Sequence, residues 1–233
     1  EALVDFAPDG LEQAFFVNSG AEANENALRL AFRRTGRPKV VAIEGGFHGR
    51  TAAAAAVSWR SERWYGFPAQ PFDVEFVPRG DFGMLEQAID ETTAALTLEP
   101  VQGLPGAYPL GRDYLDAARE ATARAGALLI FDEVQCGLGR CGAPFVARLH
   151  GVTPDILTVG KGLAGGLPAA ALLVRPEALP ALEDENLDEA NETVSGTYPA
   201  KDVLQAPAAP SRPERVLPRV ASDIAARRAM RGP

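Results

Sequence analysis

Ala127-Leu128-Leu129-Ile130-Phe131 runs without a polar residue straight into Asp132-Glu133-Val134-Gln135. A strand with one face in water alternates polar and apolar residues. This run does not alternate, so it reads as a strand buried on both faces, the kind found in parallel sheets sandwiched between helices. Outward from it the pattern recurs. Lys39–Ile43, Val74–Val77, Ala94–Leu98, Ile156–Val159 and Ala169–Val174 are further short, mainly apolar strand runs, and Leu11–Val17 leads into Asn18-Ser19-Gly20. Between them lie helical stretches. One starts at Ser19, with Glu22 three residues on as the partner of a capping box, carries Leu28, Ala31 and Phe32 on one face, and ends at Gly36. The Ala-rich stretch His48–Ser58, the stretch Asp81–Thr92 behind the cap residue Asp81, and Asp113–Arg124 supply three more. Strand and helix in alternation predict an α/β fold of three layers, α/β/α, around a mostly parallel sheet.

The composition sets bounds on function. The 233 residues are 46% hydrophobic and 23% charged, enough for one large core. A net charge of −8 argues against a nucleic-acid or anionic-membrane binder. No apolar run reaches the ~18 residues of a membrane span, and the N-terminus has neither the basic start nor the apolar run of a signal peptide. Two cysteines, Cys136 and Cys141, make no disulfide framework, so the expectation is a reducing cytoplasm. The last part differs in character. Residues 183–192 carry six acids and no base, and 207–233 carry six arginines against two acids, with four prolines between 207 and 218. The reading is a folded domain over 1–180 and an acidic loop with a Pro/Arg-rich, solvated tail over 181–233.

In open α/β sheets ligands bind beyond the carboxyl ends of the strands. Five clusters stand there: Asn18-Ser19-Gly20-Ala21-Glu22, Gly45-Gly46-Phe47-His48-Gly49-Arg50, Glu99-Pro100-Val101-Gln102, Asp132-Glu133-Val134-Gln135 and Gly160-Lys161-Gly162. Each has a plain reading and a functional one. Ser19 to Glu22 is a capping box, or a helix N-terminus whose free N–H groups hold a phosphate. Asp132 is a loop carboxylate, or a buried acid awaiting a cationic partner. Lys161 is an exposed turn lysine, or an amine that condenses with an aldehyde, its glycines clearing room for a flat cofactor. Gly137-Leu138-Gly139-Arg140-Cys141-Gly142 has the dinucleotide spacing, but Asp132-Glu133-Val134-Gln135 intervenes between it and the strand and no acid-ended second strand follows. Cys136, Cys141, His48 and His150 lack metal-ligand spacing, and neither a P-loop nor a nucleophile-elbow motif is present. One chemistry uses all the clusters together: pyridoxal 5′-phosphate, which needs its phosphate held, its ring nitrogen paired, its aldehyde met by an amine and its ring stacked.

The stretches Phe15–Ala23, Gly46–Thr51, Glu99–Gly103, Phe131–Arg140 and Gly160–Gly162 resemble, in order and spacing, the class-III aminotransferases, and within them the acetylornithine/ornithine aminotransferase group. The likeness covers roughly residues 1–175. It implies the large domain of a fold-type-I, pyridoxal-phosphate-dependent transferase that works as a homodimer. By position, Ser19, Gly20 and Ala21 hold the cofactor phosphate, Phe47 and Val134 pack on the two ring faces, and Asp132 pairs with the ring nitrogen. Gln135 bonds near the phenolic oxygen, His48 and Glu99 lie beside the cofactor, and Lys161 is the amine that joins its aldehyde and then moves the proton. Arg50 stands where the group places an arginine for a substrate carboxylate. The implied reaction takes an amino group from an acetylornithine-like donor and passes it to a 2-oxo acid such as 2-oxoglutarate. A non-catalytic cofactor-binding homologue and an aminomutase are the alternatives, the latter disfavoured by Arg50.

The chain departs from the family pattern in places. Leu104 stands where related enzymes commonly carry a Glu. Ser195-Gly196-Thr197-Tyr198 only loosely matches the segment whose Thr reaches the cofactor phosphate of the neighbouring subunit, a role that would fall to Thr197. With no initiator Met, and without the family's preceding segment or small domain, the expectation is a fragment with little transaminase activity by itself.

Overall fold

A computed structural model describes residues 2–179; the acidic run, Thr197 and the Pro/Arg-rich tail lie outside the described residues. In chain order the elements are α1 (Ala2–Phe6), β1 (Gln13–Val17), α2 (Gly20–Thr35), β2 (Lys39–Ile43), α3 (Ala52–Ala56), β3 (Asp73–Val77), α4 (Phe82–Ala88), β4 (Thr93–Leu98), β5 (Val101–Gln102), β6 (Tyr108–Pro109), α5 (Arg112–Ala125), β7 (Leu128–Asp132), α6 (Val146–His150), β8 (Ile156–Val159) and β9 (Ala170–Val174). Seven strands form one sheet in the order β1-β9-β8-β7-β4-β2-β3. From β8 to β3 every neighbouring pair is parallel. β9 runs against both β8 and β1. One edge of the sheet therefore carries the carboxyl ends of six strands and the amino end of β9.

The apolar runs are explained by burial on two sides. In β2, Val41 and Ile43 join one core cluster while Val40 and Ala42 join the other; in β7, Leu129 and Phe131 face one way and Ile130 the other. The first cluster is closed by α4 and α5 with Leu85, Tyr114 and Leu115. The second is closed by α2 with Ala27, Leu28 and Ala31. The same period of two decides which face the last residue of each strand presents, and that sets the site. At the head of α2 the capping box is complete: Ser19 Oγ accepts the Glu22 N–H, and the Glu22 carboxylate accepts the Ser19 N–H. The helix stops at Gly36, which has a left-handed φ of 68°.

Two helices are shorter than the sequence suggests. Only Ala52–Ala56 of the Ala-rich stretch 48–58 is helical. Gly49 has a φ of 140°, outside any helix, and a Cβ there would lie 2.6 Å from Ala21 Cβ. At the far end Ser58 Oγ bonds back to Ala54 O and takes the His48 N–H, folding the segment into a loop that delivers His48 to the sheet edge. The helix expected over 81–92 stops at Ala88. Lys39 Nζ takes the Ala88 carbonyl, and the Asp90 carboxylate takes the Thr92 N–H, so the chain turns into β4. The sequence reading also passed over the β5–β6 ribbon and α6, which are too short to show a period.

Candidate active site

The sheet edge bearing the carboxyl ends encloses a cavity of about 350 Å³. Its floor is Asp132, the last residue of β7, which is opposite Thr158 of β8 in register. Both follow the face of Ile130 and Ile156, so both lie beneath α2. Asn24, one turn into α2, meets them there. Its amide donates to Asp132 Oδ2 at 2.7 Å and to the His48 carbonyl at 2.7 Å, and its oxygen accepts from Thr158 Oγ1 at 2.7 Å. His48 Nδ1 lies 2.8 Å from the same Asp132 Oδ2, and the Val134 N–H donates to Oδ1 at 3.0 Å. A carboxylate only 3% exposed is thus kept in place by neutral donors and one imidazole. Burial works to lower the His48 pKa, but the bond to Asp132 and the nearby Glu99 charge outweigh it and hold the imidazole above its ordinary value. His48 Nε2 is buried with no hydrogen-bond partner among the described residues.

The anion end is the start of α2. Ser19, Gly20 and Ala21 line the cavity. The Ser19 N–H is taken by Glu22, and the Ser19 oxygen accepts from Glu22, which leaves its hydroxyl proton and the N–H groups of Gly20 and Ala21 without acceptors in the helix. The capping box and an anion cradle therefore coexist. Gly20 has a second reason to be glycine: a Cβ there would meet Val134 Cγ1 at 2.6 Å and Cγ2 at 2.9 Å. Val134 Cγ1 also faces Gly160, less closely: a Cβ there would sit 3.4 Å away. Val134 is wedged between two glycines, and its branched side chain has little rotamer freedom with which to yield. Gly20→Ala gains at most ~1 kcal/mol of helix propensity, against ~1–3 kcal/mol for overpacking. The variant should melt earlier and bind inorganic phosphate more weakly, as measured by thermal unfolding with and without the anion. An unchanged melting temperature would show that Val134 moves aside freely.

Lys161 follows β8 after Gly160 and adopts a φ of 48°, a left-handed conformation rare for a residue with a side chain. Its Nζ donates to Gln135 Oε1 at 2.7 Å. Gly103 makes this contact accessible: a Cβ there would fall within 2.4 Å of the Gln135 amide carbon. Phe47 forms a wall. Its backbone N–H is held at 2.8 Å by Glu99, a carboxylate whose pKa is raised by burial and by the Asp132 charge, against the pull of His48.

The structure brings Ser19, Gly20, Ala21, Phe47, His48, Glu99, Asp132, Val134, Gln135 and Lys161 to one cavity. Arg50 is not among the lining residues; it is exposed, its guanidinium 5.9 Å from the Trp64 ring centre, and Trp64 in turn lies 6.3 Å from Phe47. Thr197 lies outside the described residues. Sequence reasoning passed over Asn24, Thr158 and the segment Leu167-Pro168-Ala169, which closes the cavity at the amino end of β9. For Asn24 a signal existed: it falls four residues after Gly20, on the same helix face. Chemically, the arrangement suits a flat ligand with an anion at one end and a protonated nitrogen at the other, within reach of an amine.

The sequence model of the class-III aminotransferases matches residues 1–205. The acetylornithine aminotransferase of Mycolicibacterium smegmatis is 48% identical over 161 residues, 69% of this chain and 41% of that protein. That of Methanopyrus kandleri is 44% identical over 183 residues, 78% of this chain and 46% of that protein. The chain thus spans less than half the length of these curated relatives. Among solved structures, an ornithine aminotransferase from Toxoplasma gondii, described with partial occupancy of pyridoxal phosphate, superposes with a TM-score of 0.66 at 34% identity, covering 71% of this chain and 41% of that one.

Proposed function

Because the chain belongs to the class-III aminotransferases, we propose that its cavity holds pyridoxal 5′-phosphate and serves amino transfer from a carboxylate-bearing, acetylornithine-like donor to a 2-oxo acid such as 2-oxoglutarate. The observation that carries this reading is the meeting, in one cavity, of an open helix N-terminus, a buried carboxylate and a lysine from three distant parts of the chain. The residues fit the cofactor. Gly20, which a Cβ would block, leaves the backbone open to a phosphate, and the Asp132 carboxylate suits a protonated ring nitrogen. Phe47 and Val134 flank the space between.

When bound, pyridoxal phosphate supplies an aldehyde that carries the amino group and a ring that draws off electrons. The rest falls to the chain. Gly20, Ala21 and the Ser19 hydroxyl bind the phosphate. Asp132, fixed by Asn24 and His48, keeps a proton on the ring nitrogen. Phe47 and Val134 exclude water from the ring faces. Lys161 Nζ, steadied by Gln135, would hold the aldehyde carbon and, once the donor's amine has replaced it there, would move a proton at the carbon bearing that amine. Arg50 offers a planar guanidinium for the donor's carboxylate. We assign residues 1–180 to the cofactor-binding large domain and read the active unit as a cytoplasmic homodimer; Leu167, 73% exposed at the cavity rim, supports a covering subunit.

Titrating pyridoxal phosphate into the protein tests the reading. The expected result is a saturable new absorbance band that changes on adding N-acetylornithine and is restored by 2-oxoglutarate, in amounts stoichiometric with the bound cofactor and without sustained turnover. A protein that leaves the spectrum of free pyridoxal phosphate unaltered would sink the proposal.

A further inference from the structure

Glu133 has no part in the chemistry above. It follows Asp132, so its side chain takes the opposite face of the sheet, and it is wholly buried. No cation is paired with it among the described residues. Its carboxylate instead accepts two backbone N–H groups thirteen and fourteen positions along: Val146 at 2.6 Å and Ala147 at 2.8 Å. These open α6, whose N-cap Phe145 supplies no side-chain bond, so among the described residues Glu133 is their cap. The backbone of Glu133 is held as well, its N–H by Thr158 O and its carbonyl by Gly137 N, each at 2.9 Å. Between the two ends of this clamp lies the loop that carries Val134 and Gln135. It is folded so closely that a Cβ on Gly137 would be 2.7 Å from Glu133 O.

We propose that Glu133 is a positioning residue: by tying the start of α6 to the end of β7 it closes the 134–145 loop and so places Val134 between Gly20 and Gly160 and Gln135 on Lys161. The proposal rests on the cofactor reading of that cavity. Three features favour a positioning role over simple core filling. Among the described residues the carboxylate is hydrogen-bonded only by backbone donors, so it restrains the path of the chain. Both bonded N–H groups lie at the far end of the loop that faces the cavity. The residues directly after Glu133 are the ones seated closely on glycines, Val134 against Gly20 and Gly160 and Gln135 against Gly103. Burial pushes the Glu133 pKa up to about 7 against the pull of its two N–H donors, as expected of a carboxyl kept from water for this contact.

Two variants test the clamp from opposite ends. Glu133→Gln keeps shape but turns one acceptor into a donor facing an N–H. Val146→Pro removes one of the N–H groups at the first helical position, where proline is well tolerated, behind Phe145, whose extended backbone suits a residue before proline. Amide hydrogen exchange on the cofactor-free chain should show faster exchange in both, reaching back to the Val134 N–H that Asp132 Oδ1 holds. Pyridoxal-phosphate affinity should fall about tenfold in each. Adding Gln135→Ala to Glu133→Gln should lower it no further than the worse single change, since both act through one contact. Variants that only melt earlier, with Val134 exchange unchanged, overturn the proposal, as does strict additivity with Gln135→Ala. A wild-type chain that takes up no pyridoxal phosphate sinks the cofactor reading instead, and Val134 exchange then decides the positioning role by itself.

Discussion

Replacing Lys161 by alanine should abolish covalent capture of pyridoxal phosphate on borohydride reduction, whereas in the wild-type protein peptide mapping should find the label on Lys161 and on neither Lys39 nor Lys201. Lys39 Nζ is occupied by Asp90, Glu75 and the Ala88 carbonyl, at the opposite edge of the sheet. Lys161 has one neutral partner, Gln135, and lines the cavity. In the proposed role one amine both joins the aldehyde and moves the proton, so amino transfer should fall by on the order of 10⁴ or more in Lys161→Ala. Capture of the cofactor on another lysine, with Lys161→Ala still labelled, would overturn the assignment.

Asp132→Asn should have the second largest effect. Oδ2 accepts from Asn24 and lies beside His48 Nδ1, and Oδ1 accepts from Val134 N, so an amide group at either position turns a donor toward donors. It also loses the charge that keeps the ring nitrogen protonated. Cofactor binding should persist through the helix N-terminus and Lys161, while proton removal at the substrate carbon slows by on the order of 10²–10³, the scale of losing one preorganised electrostatic contact in a buried site. Single-turnover spectra of the bound cofactor with donor would read this directly. An Asp132→Asn protein that completes the half-reaction at the wild-type rate would remove Asp132 from its role.

The inner strands were legible because each is covered on both faces, and a run as short as Leu128–Phe131, set between turn and helix signals, reads as a strand by its length; the edge strands β1 and β3 are partly exposed. The clusters after them were legible because a sheet edge collects whatever follows its strands. What escaped had physical reasons. Asn24 is a polar residue in a helix and reads as solvated until the helix is laid over Asp132. Thr158 is an inner strand residue whose hydroxyl matters only through its register with Asp132. Leu167–Ala169 escaped because nothing local states that β9 runs backward, which exchanges its amino end for a carboxyl end at the site. The stretch 48–58 misled through its alanines; propensity favoured helix throughout, and the close pass of Gly49 over Ala21 overrode it.

The placement of Asn24 has a consequence for what the cavity will accept. One helix supplies both the open N–H groups at its start and, four residues later, the amide that anchors the Asp132 carboxylate. Those two points are separated along the axis by about 6 Å, the rise of four residues, and the interval is fixed by hydrogen bonds inside the helix rather than by how neighbouring elements settle. α2 is in that sense a ruler. Packing adjustments elsewhere shift both marks together, so in the proposed pose the cavity would gauge the length of its ligand, anion to ring nitrogen, independently of how tightly it grips either end.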